Sequence, residues 1–311
     1  MLLEVSGSIP GVSVSVIVAE QLTHRYGVRT GIERLDLQVA EGSLFGFLGP
    51  NGAGKTTTIR VLLGFLRPNG GRASLFGRDC WRAGARIRQD VGYLPGDLRL
   101  YPSATGRELV RIFGLVRHRD LAASGRDLAD RFALDMSVPV RKMSRGMRQK
   151  LGLILAMAHE PRLLVLDEPT ASLDPLMQDE LIQYLRGNAA QGHTIFFSSH
   201  TLSEVERLCD RVAIVREGRL VANEPLESLR ARARRRFTIR WTSEQVSRDV
   251  VPPGFLRLDE RREHTWHGSL KGEVPELVRW AATQPIEDLA IGHPDLESLF
   301  REYYTREASV T

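Results

Sequence analysis

Nine consecutive residues, Gly49-Pro50-Asn51-Gly52-Ala53-Gly54-Lys55-Thr56-Thr57, have the types and spacing to hold a polyphosphate. They fit G-x-x-x-x-G-K-[ST], the phosphate-binding loop. Gly49, Gly52 and Gly54 lack a Cβ, so the backbone can take otherwise forbidden dihedrals and approach phosphate closely. The N–H groups of the loop then point inward as an anion nest. A helix starting near Lys55 adds its positive dipole end and its unpaired N–H groups. Lys55 supplies a full charge for the β- and γ-phosphates, and the Thr56 hydroxyl is the expected Mg²⁺ ligand.

Further along, Leu163-Leu164-Val165-Leu166 runs directly into Asp167-Glu168-Pro169. Four apolar residues in succession point to a central parallel strand buried on both faces. Ligands of open α/β sheets bind at the carboxyl ends of such strands. Asp167 is therefore the candidate to help hold Mg²⁺, and Glu168 is placed to polarise an attacking water as general base. An alternative role for the acids, capping the next helix, is weak, because Pro169 and Asp174-Pro175 put that helix start later. His200 follows another apolar run, Thr194–Ser198, and could donate a hydrogen bond to a γ-phosphate. Tyr26 lies upstream of the loop and either stacks on a nucleotide base or is buried structurally.

These residues need elements to position them. Ser43–Leu48 reads as the strand before the glycine loop and Thr56–Leu66 as the packed helix after it. A first strand begins at Val16–Ala19, with a turn at His24–Gly27. Leu35–Ala40 alternates like a half-exposed antiparallel strand. Arg67–Gly71 is a breaker cluster, Ala73–Phe76 a short strand and Val91–Pro95 another. Thr105 and Glu108 form a capping box for a helix through about Val116, and Arg117–Leu134 reads as further surface helix. Ser144 is an N-cap ahead of the apolar helix Leu151–Ala158. Val212–Val215 and Leu220–Ala222 flank a hairpin turn. Composition shifts at Glu224-Pro225, which sets a domain boundary near residue 225. Beyond it come the arginines from Arg230 to Arg240, three of the four tryptophans, a strand from Arg236 to Trp241, and a closing segment, Leu289–Tyr304, whose helix starts at Pro294-Asp295. Residues 1–15 read as an extension.

The net charge is +5 over 311 residues. Pro225–Thr311 holds 14 basic and 14 acidic residues, so the excess lies in residues 1–224 and is dispersed. Such a balance does not argue for nucleic-acid binding. Two cysteines, Cys80 and Cys209, suggest no disulfide framework, and no run of about 18 apolar residues would span a membrane.

Together the motifs resemble the nucleotide-binding subunit of an ATP-binding cassette (ABC) transporter, over roughly residues 16–224. Gly49–Thr56 matches the Walker A loop and Leu163–Glu168 the Walker B strand with its glutamate. Ser144-Arg145-Gly146-Met147-Arg148-Gln149 resembles the family signature, Ser172-Leu173-Asp174 the D-loop, and His200 the switch histidine. Tyr26 falls at the adenine-stacking position. The resemblance implies a P-loop α/β cassette: a mixed core sheet, an antiparallel β subdomain, a helical insertion over about 97–160, and a small α+β C-terminal domain over 225–311. It also implies ATP and Mg²⁺ as ligands and a head-to-tail homodimer. In that dimer Ser144, Gly146 and Asp174 of one copy face the nucleotide of the other. A separate membrane permease would be driven from the cytoplasmic face of a bacterial membrane, with no nucleic acid involved. Two positions depart from the family pattern. Met143, Arg145 and Met147 alter the usual signature toward that of daunorubicin-resistance-like exporters. Gly96-Asp97 stands where a glutamine usually binds metal and water. A soluble cassette ATPase acting on DNA or ribosomes would carry a long coiled coil or a second cassette, and a GTPase would carry N-K-x-D. Neither feature is in the sequence.

Overall fold

A computed structural model describes residues 14–297, 299 and 300. These fall into two compact units that divide between Glu224 and Pro225.

In the first unit, β1 (Ser15–Tyr26) and β2 (Arg29–Ala40) pair antiparallel. β1 runs through His24-Arg25-Tyr26, so the turn is made by Gly27-Val28 rather than by His24–Gly27. β3 (Leu44–Leu48) leads through the glycine loop into α1 (Lys55–Leu62). That helix stops short of Leu66, because the chain turns at Gly64 with a φ of 69°. β4 (Gly70–Leu75) and β5 (Arg78–Asp79) complete a four-stranded sheet of order β2-β1-β4-β5. After the single turn α2 (Gly84–Ile87), β6 (Val91–Leu94) enters the main sheet.

Three helices follow. α3 (Gly106–Arg117) starts on the Thr105–Glu108 capping box. α4 (Ala122–Arg131) is shorter than the stretch 117–134 suggests. α5 (Arg145–Met157) starts on Ser144 and includes the run from Leu151. Residues 97–104 are not helical, so the helical insertion begins at Gly106. The Arg117 guanidinium donates to the carbonyls of Arg88 (3.2 Å), Gln89 (3.0 Å) and Val91 (3.2 Å), which binds α3 to the start of β6. β7 (Leu163–Asp167), α6 (Pro175–Ala190), β8 (Thr194–Ser199), α7 (Leu202–Leu208), β9 (Arg211–Arg216) and β10 (Arg219–Pro225) complete the unit.

The main sheet has the order β10-β9-β3-β8-β7-β6, and the pairs from β9 to β6 are parallel. β3, β7 and β8 are buried along their whole length, as continuous apolar runs between helical layers require. Phe196 packs against Phe45 and Phe47 at centroid distances of 5.8 and 5.3 Å. One apolar core joins this sheet, α1 and the buried faces of β1, β2 and β4. Because β3, β7 and β8 are parallel neighbours, their C-terminal ends, and the residues that follow them, share one edge of the sheet.

Cys80 and Cys209 are free and buried. Burial pushes the Cys80 thiol up to about 12 and raises that of Cys209 as well, so neither is a ready nucleophile.

The second unit contains α8 (Leu226–Arg232), β11 (Arg235–Trp241), α9 (Glu244–Asp249), β12 (Leu256–Arg262), β13 (Thr265–Leu270), α10 (Val274–Ala281) and β14 (Ile286–Pro294). Its sheet order, β12-β13-β11-β14, and its β-α-β-β-α-β sequence make the split βαβ arrangement. Trp241, Trp266, Phe237 and Ile239 form its core. Pro294 ends a strand here and helix begins at Leu296. Residues 301–304 of the expected closing helix and 1–13 of the N-terminal extension lie outside the described residues.

Candidate nucleotide site

The glycine loop connects β3 to α1, and its shape depends on missing side chains. A Cβ on Gly49 would lie 2.4 Å from the Val215 carbonyl oxygen. Gly54 has a φ of 107°, and a Cβ there would lie 2.6 Å from the Gly31 oxygen. Only glycine takes that backbone beside another backbone at no steric cost. Gly54 is the N-cap of α1, so the free N–H groups of the first turn open onto the loop.

Lys55 is 5 % exposed. Its ammonium donates to the carbonyls of Gly49 (2.7 Å) and Pro50 (3.2 Å) and lies 3.2 Å from Glu168 Oε1. The Thr56 hydroxyl donates to Asp167 Oδ2 at 2.8 Å. His200 Nδ1 is 3.1 Å from the other Glu168 oxygen, Oε2. Residues separated by more than a hundred positions in sequence thus meet at one edge of the sheet. A pocket of about 270 Å³ opens beside them, lined by Tyr26, Asn51, Gly52, Lys55, Thr56 and Glu168 among others. Asn51 and Gly52 are exposed at the tip of the loop, whereas Ala53 is buried beneath it. Tyr26 is 45 % exposed, and its hydroxyl lies 3.5 Å from Thr57 Oγ1. It is a rim residue rather than a buried structural one.

The acids are held from behind. Ser198 donates to Asp167 Oδ1 at 2.5 Å. The backbone N–H of Glu168 donates to the Ser198 carbonyl at 3.1 Å, and Glu168 itself has a φ of 52°. That left-handed turn lets the strand end place its last two carboxylates at different points. Gln149, from α5, donates to the Pro169 carbonyl at 2.9 Å. The Tyr93 phenol is pushed up to about 12 by burial and by the nearby Asp167.

Thr56 and Asp167 bring a hydroxyl and a carboxylate together. Such hard oxygens suit Mg²⁺ bound jointly with phosphate oxygens and water. Among the described residues no group of three His, Cys, Asp or Glu could cage a metal alone. The donor set therefore fits an ion that arrives with a phosphate. Gly96 lies against this point, where a Cβ would be 3.3 Å from Asp167 Oδ2. The Asp97 carboxylate pairs with Arg99 at 2.9 Å at the surface and does not line the pocket.

Ser144, Gly146 and Asp174 do not line the pocket. Ser144 caps α5 by accepting from the Met147 N–H at 3.1 Å, and Asp174 caps α6 by accepting from Met177 at 2.9 Å. A Cβ on Gly146 would lie 2.9 Å from the Ser172 carbonyl, so the D-loop packs on the start of α5.

Sequence reasoning did not single out Ser198, the Gln149–Pro169 contact, or Glu204. The Glu204 carboxylate accepts from Thr170 at 2.8 Å and from Ser199. The only sequence signal was polar residues flanking the motifs.

A glycine cradle at one strand end, two acids at the next and a histidine at the third define a P-loop nucleotide-binding α/β protein. More narrowly, the chain belongs to the ABC transporter family: residues 32–171 match the family described as ABC transporter. It is 37 % identical over 228 residues to the bacitracin transport ATP-binding protein BcrA of Bacillus licheniformis, covering 71 % of this chain and 73 % of that one. It is 38 % identical over 301 residues to the Nod factor export ATP-binding protein I of Burkholderia orbicola, covering 93 % and 94 %. Among solved structures, an ATP-binding subunit of an ABC transporter superposes with a TM-score of 0.65 at 30 % identity, over 70 % of this chain and 92 % of that one. A dimeric bacterial ABC transporter cassette, 19 % identical, shares the fold with a TM-score of 0.61 over 68 % and 98 %.

Proposed function

We propose that this chain binds and hydrolyses Mg²⁺-ATP to power export through a separate membrane permease. Residues 1–224 form the cassette, and 225–311 an accessory domain. The observation that carries this reading is the convergence of Lys55, Thr56, Asp167, Glu168 and His200 at the glycine cradle. Export is supported by relatives named for bacitracin transport and Nod factor export.

Each residue has a defined task. The loop N–H groups and Lys55 bind the β- and γ-phosphates, and Lys55 exchanges the Gly49 and Pro50 carbonyls for them. Thr56 and Asp167 would hold Mg²⁺, which when bound neutralises charge developing on the phosphate oxygens. Tyr26 offers a stacking face to the base. Glu168 takes a proton from the attacking water through one carboxylate oxygen while His200 steadies the other. Ser144, Gly146 and Asp174 serve the nucleotide of a second copy, so two sites form in a head-to-tail pair. Among the described residues no helix is long and apolar enough to cross a membrane. In this reading the chain sits peripherally on the permease at the cytoplasmic face.

The test is light scattering and hydrolysis assays on the purified chain. With Mg²⁺ and a non-hydrolysable ATP analogue the mass should double, and with ATP phosphate should appear. A monomer that releases no phosphate would refute the reading. Affinity capture from detergent-solubilised membranes should recover a polytopic membrane protein; ribosomes or DNA would redirect it.

A further inference from the structure

Glu204 lies in the first turn of α7 and does not line the nucleotide pocket. Its carboxylate nevertheless joins two segments that do chemistry. Oε1 accepts from the Thr170 hydroxyl at 2.8 Å, and Oε2 accepts from the Ser199 hydroxyl. Thr170 comes two residues after Glu168, and Ser199 immediately precedes His200. Both partners are buried, at 3 % and 1 % exposure. Ser199 Oγ also accepts from the Thr201 N–H at 2.9 Å, so the loop is pinned on both sides of His200. The Ser199 carbonyl accepts from the Gly49 N–H at 3.2 Å, which ties the same residue to the entrance of the glycine loop.

We propose that Glu204 is a positioning residue for hydrolysis: it fixes the separation of Glu168 and His200 from behind. This rests on the reading of Glu168 and His200 as the hydrolytic pair. The chemistry favours a carboxylate at this position. Both partners present hydroxyl donors, and an ionised carboxylate is acceptor-only with two oxygens, so it can accept from both; the other acceptor within reach of the Ser199 hydroxyl, the Thr201 carbonyl, is farther away at 3.2 Å. Charge-assisted bonds of this kind are short and strong, and burial of the donors strengthens them further. If Glu204 served only the dipole of α7, its loss would leave the turnover number untouched. Tied to the segments that carry the 3.1 Å Glu168–His200 contact, it instead sets where Glu168 meets the attacking water.

The experiment measures kcat, KM and the dissociation constant for ATP in full-length Glu204→Ala, Glu204→Gln, Thr170→Val and the Glu204→Ala/Thr170→Val pair. Glu168→Gln is assayed beside them. In Glu204→Ala, kcat should fall ~10- to 100-fold, the loss expected of a misplaced catalytic group, while ATP affinity stays near the wild-type value. Glu204→Gln, whose amide can accept from one hydroxyl and donate to the other, should recover most of kcat. Thr170→Val should lower kcat alone, yet add little in the Glu204→Ala background, because both changes break one network. This comparison of Gln and Val variants also stands if the alanine variant does not fold. An unchanged kcat in Glu204→Ala, a proportional loss of ATP affinity and kcat, or full additivity with Thr170→Val would each overturn the proposal. Near-normal turnover in Glu168→Gln would instead remove the hydrolytic pair itself, whatever Glu204 does.

Discussion

Asp167 and Glu168 at the end of β7, and Ser144 and Asp174 at the starts of α5 and α6, are all polar groups at element termini. They are satisfied in opposite ways. The two acids reach across the sheet edge to Thr56, Lys55 and His200, residues brought there by other strands. The side chains of Ser144 and Asp174 accept from N–H groups three residues ahead, in their own helices. The first group is a set of mutual contacts that a single folded chain completes. The second is a pair of helix starts, each capped by its own side chain. In the function proposed above, these starts serve the nucleotide of a second copy.

Changing Glu168 to Gln strikes the mutual set hardest. It keeps the shape of the side chain and removes the base, so turnover should drop by about 10²- to 10⁴-fold while ATP remains bound and the pair of copies persists. Phosphate release and light scattering check this, and near-normal turnover would show that the base lies elsewhere. Lys55→Ala should weaken ATP by about 3 kcal/mol, or roughly 100-fold in dissociation constant, because a charge-assisted contact to phosphate is lost. Calorimetry reads that directly; unchanged affinity would end the role given to Lys55.

The remaining variants probe α5, whose start belongs to the second group and whose end is rooted in the core. His159, just past that end, is 3 % exposed and contacts the Val91 carbonyl at 3.3 Å. Burial, with Arg117 nearby, pulls its pKa down from 6.5 to about 4. The folded chain thus keeps His159 neutral where the unfolded chain would bind a proton. Stability is complete above pH 6.5 and falls as the pH drops from 6.5 toward 4, by at most about 3 kcal/mol at roughly 1.4 kcal/mol per unit. Denaturant melts of His159→Gln should show a shallower decline across that window; an unaltered slope would mean other groups carry it. The smallest effects belong to Ser144: Ser144→Ala should cost about 1 kcal/mol of stability through the lost cap. Ser144→Gly should cost only a few tenths of a kcal/mol. Both should reduce hydrolysis by the paired copies while leaving ATP affinity of the single copy unchanged. A loss of affinity would erase the distinction between the two groups.

Much of this architecture was legible because its signals are local. The glycine loop, the Thr105–Glu108 capping box, the Asp174-Pro175 helix start and the apolar run into Asp167 each lie within a few residues of sequence. What stayed hidden depends on the distance between segments. Ser198 holds Asp167 and Glu204 holds Thr170 only because β7 and β8 pair in the register Asp167↔Ser198. The φ of Glu168 could not be read from a residue type that rarely adopts it. In the second unit, β14 was hard to see. It is a half-exposed edge strand that carries Glu287 and Asp288, and such strands give weak alternation.

The tandem serines at the end of β8 carry one last consequence. Successive residues on a strand point to opposite sides, and Ser198 serves Asp167 while Ser199 serves Glu204. Gaining or losing one residue in this strand would turn both hydroxyls to the opposite face, away from the acids they serve.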